Sequence, residues 1–239
     1  MTYTPYCGMP PPPAELLTHW TLEPGLLIGL ALALSVILWQ GQGTARRNAV
    51  AGWAVVAVLF VSPLCALSMA LFSARVAQHL LLTLIAAPLI AGLWRARIPP
   101  TVLSAGVFAI LLWVWHIPAP YAWTLQSDLA YWAMHLSLLG SAVALWAGLL
   151  TRIARHPFEG ALVLAGTAAQ MTMLSILLIF APAPWHAWHE AAAMSWGLSG
   201  MADQALAGAV MWIAGGLLMA LSIWHLSRRF LREADPAQV

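Results

Sequence analysis

The sequence predicts an all-α integral membrane protein of seven transmembrane helices, with its N-terminus outside and its C-terminus cytoplasmic. Composition is the first observation behind this. Hydrophobic residues make up 62% of the 239 residues and charged residues only 8%, with a mean hydropathy of +0.83; a soluble domain carries about a quarter charged residues. The second is that cutting the chain at its charges leaves apolar runs at 24–45, 48–74, 76–94, 98–127, 129–151, 160–189 and 204–227. Each can hold the roughly 20 helical residues that cross a bilayer. Strands alternating lipid-facing and polar residues are absent, which argues against a β-barrel.

The third observation is where the arginines fall. Arg46 and Arg47 follow the first run, Arg95 and Arg97 the third, Arg152 and Arg155 the fifth, and Arg228, Arg229 and Arg232 the seventh. Basic residues gather on the cytoplasmic side, so one assignment satisfies every arginine but Arg75. The net charge of +2 is too small to suggest a nucleic-acid partner.

Taken in order, residues 1–22 form an external, proline-rich segment that lacks the pattern of a cleavable signal peptide and cannot be helical at Pro10 to Pro13. The transmembrane domain spans 23–227, and 228–239 form a cytoplasmic tail. Trimming the runs at Pro and Gly predicts helices over 24–40, 49–69, 75–94, 100–117, 128–150, 159–181 and 201–226. Pro63 and Pro88 predict a kink or an end in the second and third. The outer loops over 118–127 and 181–200 carry Tyr121, Trp123, Trp185, His186, Trp188, His189 and Trp196, aromatic residues suited to the interface. Cys7 is placed in an oxidising compartment, and Cys65 lies near the same side. Two readings of Cys65 stand, a disulfide to Cys7 and a packed thiol.

The third helix opens on a polar face. Arg75, Gln78 and His79 stand at i, i+3 and i+4, so they share one side, and polar groups facing hydrocarbon are costly. His79 falls roughly 6 Å and His135 roughly 10 Å below the outer ends of their helices, and His116 within about a turn of its own. His19, His186 and His189 are also external; His156 and His225 lie on the other side. Imidazoles suit copper and zinc, and sulfur ligands shift the preference toward Cu(I). The candidate metal set is therefore His79, His116, His135 and His189, with Cys65 and Met171 as sulfur donors. Hydrogen-bonded packing histidines are the plain alternative. Asp203, at the outer end of the seventh helix, is expected to pair with Arg75.

Short pieces along nearly the whole chain resemble the CtaG family of cytochrome c oxidase assembly proteins, the multi-helix membrane type. They are His19-Trp20 with Glu23-Pro24, Ser62-Pro63-Leu64, Phe72-Ser73 with Gln78-His79-Leu80-Leu81, and Trp115-His116-Ile117-Pro118. Met134-His135-Leu136-Ser137, Phe180-Ala181-Pro182 with His189, Trp196-Gly197-Leu198, Ala202-Asp203-Gln204 and Gly208 with Met211-Trp212 complete them. The resemblance implies a multi-pass protein of the bacterial plasma membrane that matures a respiratory oxidase at a copper centre. It also implies that His79, His116, His135 and His189 are the family's histidines. Where the family's pattern often reads His-Met before His79, this chain has Arg75-Val76.

Two functions follow. One is a non-catalytic assembly factor that binds or delivers copper and docks onto an oxidase subunit or another assembly factor. The other is a haem or redox protein with His79 and His135 as axial ligands. A retinal protein is eliminated, because its Schiff base needs a lysine and the chain has none.

Overall fold

A computed structural model describes residues 3–94, 99–153 and 155–233. Arg95, Arg97 and the end of the tail, 234–239, lie outside the described residues, as do the side chains of Arg229 and Arg232. The described residues form helices joined by short irregular segments, without strands. Ten helices follow one another: α1 (Pro24–Gln40), α2 (Gly43–Val61), α3 (Leu64–Ala70), α4 (Phe72–Ala91), α5 (Thr101–His116), α6 (Pro118–Thr124), α7 (Asp128–Arg152), α8 (Pro157–Phe180), α9 (Trp188–Ser195) and α10. The last runs over Gly200–Val210, a π turn at Met211–Gly215, and Gly216–Glu233.

Helices occupy all seven expected ranges, but seven membrane spans are more than their lengths support. Five are long and apolar enough to cross a membrane: α2, α4, α7, α8 and α10 over Gly200–His225. A sixth counts if α5 and α6, bent by 80° at Ile117, form one span. The apolar α1 has 17 residues, about 25 Å at 1.5 Å per residue, a little short of the roughly 30 Å hydrocarbon core.

The expected helix over 49–69 is two helices. Ser62, held extended ahead of Pro63, ends α2, and the proline then opens α3. At its other end α2 starts earlier than expected, because Arg46 and Arg47 join its first turns instead of a loop. In the N-terminal segment Pro13 opens a 3₁₀ helix, Pro13–Thr18, taking a first-turn position where a missing N–H costs nothing.

Helices α4 and α7 are the inner ones. Each is 61% buried over its apolar window, against 22% for α2. Contacts close a ring in the order α4, α7, α5, α8 and α10, with α2 packed on α4 and α1 on α2. Pro88 does not kink α4 in isolation; a π turn at Leu81–Ala86 precedes it. There the Ala87 N–H reaches back to the Leu82 carbonyl, which sets Pro88, lacking an N–H, against the Thr83 carbonyl. The Trp146 indole of α7 donates to that carbonyl instead, at 2.9 Å. A side chain at Gly215, in the second π turn, would meet Leu80, Leu84 and Met171, so the two turns lie side by side.

One end of the bundle is capped. The N-terminal segment lies over it, with Tyr6 stacked on Tyr131, the Trp196 indole donating to the Pro11 carbonyl, and the Tyr3 hydroxyl donating to Asp128. A Cys7–Cys65 disulfide, Cα–Cα 5.4 Å, ties the segment to α3. Of the two readings of Cys65, the structure takes the disulfide. Arg46, Arg47, Arg152, Arg155 and Arg228 belong to the opposite end.

Candidate metal centre

The site is built on the first two turns of α4. Leu71 breaks the chain between α3 and α4 in an extended conformation, leaving the first N–H groups of α4 without helical partners. The Asp203 carboxylate, from the first turn of α10, accepts hydrogen bonds from the Phe72 and Ser73 N–H groups and from the Ser73 hydroxyl. The expected Arg75–Asp203 ion pair is therefore not formed. A carboxylate beside free N–H groups and the positive end of a helix dipole is already satisfied.

The shared face expected for Arg75, Gln78 and His79 is present, and all three are buried. Gln78 donates to the Leu59 carbonyl at 3.0 Å. His79 meets His135 of α7 at a ring-centre distance of 5.2 Å and His116 of α5 at 6.2 Å. Two imidazoles sharing one metal at about 2.0–2.1 Å per bond stand with ring centres roughly 5–6 Å apart, so these spacings suit a shared ion.

The nitrogens point the same way. Nδ1 of His116 and of His135 bonds the carbonyl one turn back, Leu112 at 2.7 Å and Tyr131 at 2.8 Å. Because a carbonyl only accepts, each Nδ1 carries the proton and each Nε2 keeps its lone pair. Nε2 of His135 and both nitrogens of His79 are buried without a hydrogen-bond partner. Buried polar atoms are nearly always paired, so these orphaned nitrogens call for an explanation. Among the described residues no three His, Cys, Asp or Glu side chains are already gathered around a single point. The three imidazoles form a cluster, not a closed coordination shell.

His189 stands in a second group. Its Nε2 lies 2.6 Å from the Tyr121 hydroxyl, and the Tyr121 ring packs on His186 at 4.0 Å. The Phe72 ring joins the two groups, 4.5 Å from His186, 5.9 Å from His189 and 6.3 Å from His116. His186, which the sequence offered only through its spacing from His189, borders a cavity of about 500 Å³ lined also by Pro118, Tyr121, Gln126, Trp185 and Trp188. The spacing does form a turn, with the His189 N–H bonded to the His186 carbonyl. Burial, and then neighbouring charge, push both imidazoles down to about 3, which keeps them neutral and able to coordinate.

Cys65 is bonded to Cys7 and offers no thiolate, though both sulfurs approach the Tyr131 hydroxyl, at 3.6 and 3.2 Å. Met171 reaches toward Gly215 at the π turn of α10. The Met69 sulfur accepts from Arg75. A haem held between His79 and His135 is not favoured, because rings 5.2 Å apart at 70° leave no room for a macrocycle.

Residues 92–233, more than half of the chain, match the family model described as the cytochrome c oxidase caa3 assembly factor (Caa3_CtaG). The match takes in α5 to α10 with His116, His135, His186, His189 and Asp203, while α4 with His79 precedes it. No curated protein and no solved structure matches the chain. Agreement over that length, together with the helical bundle, assigns the chain to the cytochrome c oxidase caa3 assembly factor family.

Proposed function

We propose that the protein is a non-catalytic assembly factor that takes up copper at the outer face of the bacterial plasma membrane and hands it to a subunit of a respiratory oxidase. His79, His116 and His135 hold the ion, and His186 and His189 form its approach from the cavity beside Tyr121. Copper is here a cargo, so a cluster of neutral imidazoles without fixed thiolate or carboxylate suits release as well as capture. The orphaned ring nitrogens of His79 and His135 carry the reading. The chain crosses the membrane seven times, α1 and the bent α5–α6 pair included, with the capped end outside. The arginine distribution and the disulfide support this orientation.

Copper analysis of the protein purified from its membrane tests the proposal. The wild type retains copper when supplied with Cu(I), and a His79→Ala/His135→Ala double variant of equal folded yield does not. Equal, near-zero copper in both would leave only a scaffold role. For orientation, a C-terminal reporter active only in the cytoplasm is expected to report activity.

A further inference from the structure

The largest fully buried side chain is charged. Arg75 is 0% exposed, and a guanidinium stays protonated in any protein environment. Its Nε donates to the Ser68 carbonyl at 3.3 Å and its Nη2 meets the Met69 sulfur at 3.4 Å, while Nη1 has no partner. The guanidinium carbon lies 5.4 Å from the centre of the Tyr131 ring and 5.8 Å from that of Tyr121. Those are the rings that pack on His135, at 4.3 Å, and on His186, at 4.0 Å. His79 follows one turn along the same face of α4. The nearby carboxylate, Asp203, is engaged at the start of α4.

A fixed positive charge thus stands beside both histidine groups of the site, and among the described residues no ion pair neutralises it. Such a charge opposes any cation bound there, and it opposes a dication twice as strongly as a monocation. A unit positive charge about 6–8 Å from a bound ion, in an effective dielectric near 20, lowers affinity by roughly 30- to 100-fold per unit of ionic charge.

We propose that Arg75 is a charge filter that makes the histidine cluster selective for a monovalent soft ion, Cu(I), over divalent ions such as Zn(II). The inference rests on the copper reading above and adds to it the oxidation state accepted and the residue that sets it. Arg75 acts through the ion's charge and is not itself a ligand.

The test measures the affinities of the full-length, detergent-purified protein for Ag(I), a redox-silent monovalent probe, and for Zn(II). Arg75→Gln should raise the Zn(II)-to-Ag(I) affinity ratio by about 30- to 100-fold. If Arg75→Gln does not fold, Arg75→Met offers an apolar chain for the same volume and the same expected shift. A ratio unchanged in a folded neutral variant that still binds Ag(I) through His79 and His135 overturns the filter but leaves the copper reading standing. Failure of the wild type and the neutral variants to bind either ion overturns both.

Discussion

The Asp203 carboxylate closes the first turn of α4 from the neighbouring helix, accepting from the Phe72 N–H at 2.6 Å. A helix start that the local sequence cannot cap is thus capped in trans, and the cap also sets where Arg75 and His79 stand. Asp203→Asn keeps the shape but loses the charge and turns an amide N–H₂ toward donors. Hydrogen bonds to a charged group contribute about 1.5–3 kcal/mol each, so a clear fall in the thermal midpoint in detergent is expected. A midpoint equal to the wild type would remove Asp203 as the organiser of the site.

The Trp146–Thr83 bond leads to a second expectation. Trp146→Phe keeps most of the packing but strands the Thr83 carbonyl beside Pro88. An unsatisfied buried acceptor costs about 1–3 kcal/mol. Thermal unfolding of this variant should show that loss, and an unchanged midpoint would mean another donor takes over.

Gly208 tests the α8–α10 seam. A Cβ there would lie 2.8 Å from the Ser175 carbonyl oxygen and 2.7 Å from an Ile179 side-chain carbon. Backbone cannot swing aside as a side chain can, so Gly208→Ala should destabilise by about 1–3 kcal/mol. Gly29→Ala, with nothing within 4 Å, serves as the control and should unfold no earlier than the wild type, since Ala is the better helix former.

The disulfide closes a loop with a sequence separation of 58. The chain-entropy account assigns such a loop about 4 kcal/mol. Cys7→Ser/Cys65→Ser should unfold at lower temperature, and a strong reductant should lower the wild-type midpoint toward it. Since the bonded sulfurs are not ligands, copper content per folded molecule should stay unchanged; its loss would return Cys65 to the metal set.

His186 is expected to govern the rate of uptake, not the amount. His186→Ala should slow the loading of Ag(I) by about tenfold, a barrier increase of about 1.4 kcal/mol, at wild-type final stoichiometry. Rapid-mixing measurements would read both quantities. Unchanged rates would exclude the cavity beside Tyr121 as the entry.

Much of this was legible along the chain. Apolar runs and proline positions placed the helices, and the i, i+3, i+4 spacing of Arg75, Gln78 and His79 put them on one buried face. Ser62-Pro63 signalled a kink or an end, and it is a full break between α2 and α3. The π turns were not legible, because the first answers Pro88 and the Trp146 indole of a neighbouring helix together, and the second lies against the first. His186 does not stand out along the chain, because an isolated turn of two histidines says nothing about the ring of Tyr121 that covers it.

By itself, then, the sequence determined the class of the protein, the order of its helices, the end at which each histidine lies, and a family resemblance that the match over 92–233 bears out. These follow from hydropathy, helix periodicity and short ordered motifs, all of which are local. Tertiary structure alone decided that Asp203 serves Phe72 and Ser73 instead of Arg75, and that Cys65 is bonded to Cys7. It also divided the histidines into an inner trio and an outer pair across Phe72. The physical reason is that a partner is chosen by the rotation and crossing of packed helices, and each helix carries only its own half of every contact.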